Sequence, residues 1–463
     1  MNDDSNEARG LRDAARAIFG DALKAVDARR AVLEALSLEG GVLRVRGVRF
    51  VLGSPPRRVF SVAIGKAGAA MASALEWRLG EALAGGVLSA PPSDFKLSAR
   101  WRIYEGGHPL PDGASVEAAR ASFELLDEAD ASSALVVFLV SGGGSAMLES
   151  PRDPRVTLEE LREANRVLVT CGAAIDEVNA VRRALSAVKG GGLARRAPRA
   201  TQVTLVVSDV PRGRERDVAS GPTLAPPDDS HDAREVVARY GLAPRLPRSI
   251  NLLLEEGAAP RGLVHEEGAS RSHHVLLDNG SACEAAAESA RALGFKVETA
   301  RGVSEQRVEE GAALLVSKLF EAYGRQGAEG GAGRGVCLIS GGEFACPVRG
   351  GGRGGRSSET ALRCAFEFGR ALREARSGAG PRDSTPGRVV ALCAGTDGVD
   401  GNSPAAGALA DDATLRRAES LGLDAAKYLE ASDSYTFFKS LGDAIVTGPT
   451  GTNVRDLRVL LAV

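Results

Sequence analysis

The sequence is poor in several things, and each shortage excludes something. Aromatic residues make up 4 % of its 463 positions, so the cores must be built from Ala, Val and Leu. Lysine is scarce: of 58 cationic residues eight are Lys and fifty are Arg. Net charge is nearly absent, −2 from 58 basic and 60 acidic residues, which removes the basic field that nucleic acid or an anionic membrane surface would require. Long apolar runs are also missing. The longest, Ala134–Val140, is strand-sized and far short of the ~18–20 residues of a membrane span. Met1–Glu7 is acidic where a secretion signal is basic and then apolar. The six cysteines (171, 283, 337, 346, 364 and 393) form no C-x-x-C pair and mostly lie in apolar stretches. They are expected to be small buried hydrophobes, not a disulfide framework or a zinc site. A soluble cytoplasmic protein of two to three domains is the expectation.

Glycine is in excess, 56 residues of 463. One part lies in linker-like segments, Gln326–Gly335 and Ser377–Gly387. The rest clusters behind apolar β-type runs. Val59–Ile64 precedes Gly65-Lys66-Ala67-Gly68, Leu135–Val140 precedes Ser141–Ser145 (SGGGS), and Val203–Val207 precedes Ser208-Asp209-Val210. Val336–Ile339 precedes Ser340-Gly341-Gly342-Glu343, Val389–Cys393 precedes Ala394–Gly398, and Ala444–Val446 precedes Thr447–Asn453. Continuously apolar runs suit strands buried on both faces. Helical patterns such as Ala67–Leu79 and Ala282–Leu293 follow several of them, which predicts α/β domains with a parallel sheet under flanking helices. In such sheets ligands bind outside the carboxyl ends of the strands, where these loops stand. A break is expected within 228–268, with His274–Leu277 opening the next domain; the boundaries are 1–262 and 263–463. Loops on both domains are expected to line a cleft between them.

Several residues suit anion chemistry. Lys66 stands where a strand ends and a helix begins, so its ammonium adds to free N–H groups that favour phosphate or carboxylate. It is not part of a Walker A loop, a pattern the sequence lacks. The backbone of Ser141, Gly142, Gly143, Gly144 and Ser145 can form an anion nest. It is a weak dinucleotide fingerprint, because Met147 takes the third glycine's place. Asn179, Arg182, Ser186 and Lys189 are spaced along one face of a helix expected to end at Gly190. Asp209 and Asp397 end strands, where a carboxylate can hold Mg²⁺, accept a hydroxyl proton or form a turn. Asp400, in an Asp-Gly repeat, reads as structural. Arg356 stands at the start of the helix Thr360–Arg376, with Ser357 or Ser358 as its cap. His108, in a Pro-rich turn, and the adjacent His273 and His274 read as structural.

Taken together, Gly65-Lys66-Ala67, Gly107–Asp112 (GHPLPD), Ser141–Leu148 (SGGGSAML), the 179–191 segment and Ser208-Asp209-Val210 resemble the class II glycerate kinase family, whose C-terminal part is the MOFRL-type domain. Ala219–Thr223 (ASGPT), Ser340–Glu343, Gly354–Glu359 (GGRSSE), Gly395–Gly401 (GTDGVDG) and Thr447–Asn453 (TGPTGTN) continue the series in the family's order. The resemblance implies ATP-dependent phosphorylation of D-glycerate to 2-phosphoglycerate by a monomer or homodimer. It also implies a Rossmann-like N-terminal domain and a C-terminal α/β domain with a mixed sheet, with the active site between them. Lys66 and Arg356 match the family's favoured active-site pair. On this reading Asp209 is a third catalytic residue and shares Mg²⁺ with Asp397. ATP is held by Gly65, Ser141–Ser145, Lys189, Gly395, Thr396, Asp397, Thr450 and Asn453, and glycerate by Asn179, Arg182 and Glu343. Three departures stand out: Arg214 replaces a second aspartate after Asp209, Phe344-Ala345 replaces Thr-Thr after Glu343, and Ser357-Ser358 replaces Asn-Gln after Arg356. A hydroxypyruvate reductase using NAD(P)H and a non-catalytic sugar-acid-binding protein are the alternatives.

Overall fold

The computed structural model describes residues 2–52, 57–226, 231–257, 270–328, 334–376 and 385–463. Residues 228–230 and 258–268 of the expected interdomain break, and 329–333 and 377–384 of the two linker-like segments, lie outside the described residues. Gln326 to Ala328, expected in a linker, instead complete the helix Val308–Ala328.

Two compact units are present, Ala28–Leu277 and Met1–Asp27 with Asp278–Val463. In the first, β1 (Leu36–Glu39), β2 (Val42–Val45) and β3 (Val48–Val51) form a small antiparallel sheet. The main sheet comprises β4 (Val59–Ile64), β5 (Leu83–Ser89), β6 (Trp101–Tyr104), β7 (Leu135–Ser141), β8 (Thr201–Val207) and β9 (Arg271–Leu277). All its pairings are parallel, in the order β6-β5-β4-β7-β8-β9. Counted from β4 this is 3-2-1-4-5-6, the doubly wound order, whose switch point lies between β4 and β7. Every residue of β4, β7 and β8 is buried, as their largely apolar runs predicted. The crossover helix Gly113–Ala131 is fixed at its start by a capping box between Asp112 and Ser115. Its Ala118, Leu125 and Leu126 pack against Phe60, Val136 and Phe138.

Arg271–Leu277 corrects one expectation. It does not open the second domain but pairs with β8, Gln202 opposite Arg271 and Val203 opposite Ser272, and so completes the first sheet. The units accordingly divide at Leu277/Asp278, not at 262, and residues 1–27 cluster with the second.

The second unit's sheet contains β10 (Lys296–Thr299), β11 (Val336–Gly342), β12 (Val389–Gly395), β13 (Gly407–Asp411), β14 (Ala444–Ile445) and β15 (Asp456–Ala462). Its order is β10-β11-β15-β12-β13-β14; β10 and β11 run parallel and the other neighbours antiparallel, giving a mixed sheet. Side chains alternate between its faces. Val336, Leu338, Ala391, Cys393 and Leu460 pack with Leu315, Leu319, Ala361 and Phe368 of the helices Val308–Ala328 and Arg356–Arg376. Cys337, Ile339, Leu392 and Val459 pack with Leu11, Ile18, Ala286 and Ala290 of the helices Asn2–Ala25 and Asn279–Ala292. Cys337, Cys364 and Cys393 are buried, Cys171, Cys283 and Cys346 half-buried, and all six are free thiols. Among the described residues no helix is long and apolar enough to cross a membrane.

Candidate functional site

At the switch point of the parallel sheet the loops after β4 and β7 are clasped together. The Lys66 N–H donates to Gly142 O at 2.9 Å. Ser141 Oγ accepts the Ala67 N–H and donates to Ile64 O, both at 3.0 Å. The Ser141 hydroxyl is therefore engaged within the fold. Gly65 has φ +97°, and a Cβ there would lie 2.4 Å from Ser141 O; only glycine allows this approach. Gly143 is the meeting point. A Cβ on it would lie 3.3 Å from Lys66 Cγ and 3.4 Å from both His108 Cδ2 and Met147 Cε. Next to it is a cavity of about 160 Å³ lined by His108, Pro109, Gly143, Ser145, Asn165 and Arg182. Asp209 follows the end of β8 and is half-buried.

The helix carrying Asn179 and Arg182 runs from Ile175 to Leu185 and ends earlier than expected. Ser186 is extended, and its Oγ accepts the N–H groups of Val188 and Lys189 at 3.1 and 3.2 Å, a local turn that outcompetes another helical turn. Lys189 therefore leaves the face it was expected to share with Asn179 and Arg182. It is buried as an ion pair with Glu149, whose other oxygen accepts the hydroxyl of Ser186 and the N–H of Ser150. Burial pushes the lysine below its ordinary pKa, with Glu149 opposing. Asn179, also buried, lies behind the cavity's Ser145: Ser220 Oγ is 3.0 Å from Ser145 Oγ and donates to Asn179 Oδ1 at 3.4 Å. Ala219, Ser220 and Gly221 are successive left-handed residues, with φ of 49°, 61° and 66°. The N–H groups of Gly190 and Gly191 hold them so, by bonding Ser220 O and Gly221 O at 3.1 and 2.7 Å. Arg182 Nε donates to Asn165 Oδ1 at 3.0 Å, and among the described residues no ion pair involves this arginine. Burial lowers its pKa, opposed by the charge of Glu149.

The second unit gathers its glycine loops around Asp456, the first residue of β15, which lies in register with Gly342 of β11 on one side and Gly395 of β12 on the other. Arg356 is bidentate to this buried carboxylate, Nε to Oδ2 at 2.6 Å and Nη2 to Oδ1 at 3.0 Å, and Nη2 also reaches Glu343 Oε1 at 2.7 Å. Burial alone would weaken the guanidinium's charge; Asp456, Glu343 and Asp400 outweigh it and hold its pKa above the arginine norm. A Cβ at Gly395 would lie 3.1 Å from Asp397 Oδ1 and 3.5 Å from Asp456 Oδ1, so both carboxylates border that glycine. Thr396 Oγ1 donates to Arg455 O at 2.7 Å and accepts the Val454 N–H at 2.9 Å. Thr450 Oγ1 donates to Thr396 O at 2.6 Å, and Asn453 Oδ1 accepts the Arg455 N–H at 3.3 Å. Thr396, Thr450 and Asn453 thus use these polar atoms to tie the loops together. Asp400 is structural, as read: it accepts the N–H groups of Ser357 and Ser358 at 2.9 Å each and caps the helix Arg356–Arg376 in place of a serine. Burial pushes its pKa up to about 6 against those bonds.

The departures have local partners. Phe344 lies 3.6 Å beneath the buried guanidinium of Arg458, which also donates to Ser340 Oγ, Gly341 O and Gly342 O at 2.8 to 3.0 Å. Arg214 pairs with Asp217. Four residues were not anticipated: Glu149, Asn165, Asn279 and Asp456. Asn279 accepts the Gly342 N–H and donates to Val454 O and Asp456 O, tying three loops. Glu149 and Asp456 each carried a signal, a lone carboxylate at one end of an apolar stretch beside a glycine loop. Among the described residues no three His, Cys, Asp or Glu side chains gather as a metal cluster.

Residues 14–255 match a family model described as a domain of unknown function, DUF4147, and residues 336–456 match the MOFRL family. The chain is 32 % identical to the glycerate 2-kinase of Pyrococcus horikoshii over 98 % of both proteins. It is 36 % identical to a putative hydroxypyruvate reductase of Agrobacterium vitis over 88 % of both. Among solved structures, the glycerate kinase of Thermotoga maritima superposes with a TM-score of 0.78 at 32 % identity, covering 98 % of this chain and all of that one.

Proposed function

We infer that this chain, which belongs to the class II glycerate kinase family, transfers the γ-phosphoryl group of ATP to the 2-hydroxyl of D-glycerate. The observation that carries this reading is the convergence at Gly143, where the stem of Lys66 meets the β7 loop beside a small cavity walled by a half-buried arginine. Phosphoryl transfer asks a protein mainly for positioning and for charge opposite the transferring oxygens. Lys66 supplies a compact ammonium whose backbone is pinned to Gly142. Arg356 supplies its Nη1, the guanidinium nitrogen outside its bonds to Asp456 and Glu343. Glu343 and Asp456 orient that arginine. Asp209 takes the hydroxyl proton or, with Asp397, offers oxygen to Mg²⁺. Hard carboxylate donors at strand ends fit that ion, which normally takes one or two carboxylates together with substrate phosphates. When bound, Mg²⁺ neutralises charge on the β- and γ-oxygens.

The doubly wound strand order and the Agrobacterium relative favour hydroxypyruvate reduction as the second reading. One assay separates the two. Purified protein with D-glycerate and ATP is coupled through enolase without a mutase, beside a parallel arm with hydroxypyruvate and NAD(P)H. Signal in the first arm, abolished in Lys66→Ala, is expected. Signal confined to the second, or unchanged turnover in Lys66→Ala, overturns the assignment.

A further inference from the structure

We infer that the cavity beside Gly143 seats the acceptor's carboxylate on Arg182, and that Asn165 is the positioning residue that turns the guanidinium towards it; this rests on the glycerate kinase reading above. The cations around the acceptor loops are not equivalent. Lys189 is buried and committed to Glu149. Arg183 faces Asp217. Arg182 alone among these is half-buried with no carboxylate bonded to it, and its desolvation is only partly offset by the more distant Glu149. Such a charge is satisfied by an anion arriving in the cavity it lines.

Asn165 decides which edge of the fork is presented. Its Nδ2 donates to Leu161 O at 2.9 Å, one helical turn back, which fixes the amide and points Oδ1 at Arg182 Nε. With Nε held, the two Nη groups form the edge left for a planar, bidentate partner such as a carboxylate. The cavity, about 160 Å³ and open to solvent on one side, has room for a short hydroxy acid. Ser145, bonded through Ser220 to Asn179, forms a second polar wall. Gly143 forms the wall that adjoins Lys66, so an acid anchored on Arg182 brings its hydroxyl carbons to the side where the ammonium stem lies.

The test combines steady-state kinetics with calorimetric binding of D-glycerate in the absence of nucleotide. R182Q is expected to raise KM for D-glycerate by about 100-fold and N165A by about tenfold, with KM for ATP unchanged. N165D is the discriminating variant. It keeps the shape of Asn165 but gives Arg182 a carboxylate of its own, so KM for D-glycerate is expected to rise at least about tenfold. A merely structural Asn165 would leave N165D close to wild type. If R182Q does not fold, R182K, which keeps the charge and loses the fork, is expected to raise the same KM by about tenfold. Wild-type KM for D-glycerate in N165D and in R182Q or R182K, with turnover intact, overturns the inference and leaves the kinase assignment standing. A wild-type protein silent with D-glycerate and ATP overturns the kinase assignment instead. Binding of D-glycerate to that silent protein, lost in R182Q, would still uphold the carboxylate seat.

Discussion

Gly65 is a position with no room for a methyl group. It combines φ +97° with a Cβ position 2.4 Å from a backbone carbonyl, so Gly65→Ala is expected to cost at least ~2 kcal/mol of unfolding free energy in urea and to abolish turnover. Its neighbour behaves oppositely. The Lys66 side chain runs over Gly143, and its backbone bond to Gly142 survives truncation of the side chain, so Lys66→Ala should keep the melting temperature while kcat falls by at least ~10²-fold. Lys66→Arg should not restore it, because a planar fork does not replace a compact ammonium. Asp400 has a pH signature of its own. Burial raises its folded pKa to about 6, above the usual carboxylate value, so the folded state binds this proton more tightly than the unfolded one. Its stabilising contribution is complete below about pH 4, is lost between about pH 4 and 6, and is absent above. The melting temperature of the wild type minus that of Asp400→Asn should therefore be larger at pH 4.5 than at pH 7. A difference that does not vary with pH would contradict the burial argument.

Among elements, those legible in the sequence were the ones whose signal is local. Val59–Ile64, Leu135–Val140 and Val389–Cys393 are apolar runs interrupted only by Ser61, and each is a central buried strand. What was not legible depended on distant partners. Asp456–Ala462 takes its place from pairing with both β11 and β12, which no local pattern reveals. The helix through Asn179 stops at Leu185 because a hydroxyl captures two N–H groups, a choice that Glu149 reinforces from another segment. The same distinction divides the site. Lys66 and the glycine loops could be read from strand–loop–helix order, whereas the partners of Lys189 and Arg356 could not. The Glu149–Lys189 pair makes the coupling measurable. Glu149→Gln strands a buried ammonium and should cost ~3–5 kcal/mol, while the double change Glu149→Gln/Lys189→Met should recover much of that loss. Chemical denaturation of the four proteins of the cycle gives the coupling directly.

At the scale of the molecule, the unit Ala28–Leu277 is continuous in sequence while the other is assembled from two separated stretches. The helix Asn2–Ala25 lays Leu11, Ala15, Ile18 and Ala22 on the mixed sheet, and Arg12 bonds the carboxylates of both Asp411 and Asp443. Removing residues 2–26 should therefore leave the parallel-sheet unit protected from amide exchange and strip protection from β12 and β15. Uniform loss across both sheets would refute that independence. The interrupted unit also imposes an order on biosynthesis. Its first helix leaves the ribosome before the whole of the other unit and before the strands that cover it, so at ~5–20 residues per second its apolar stripe waits roughly 15–90 s for that sheet. During that interval the continuous unit can complete its own sheet, and the early helix is the segment that a nascent-chain chaperone has most reason to shield.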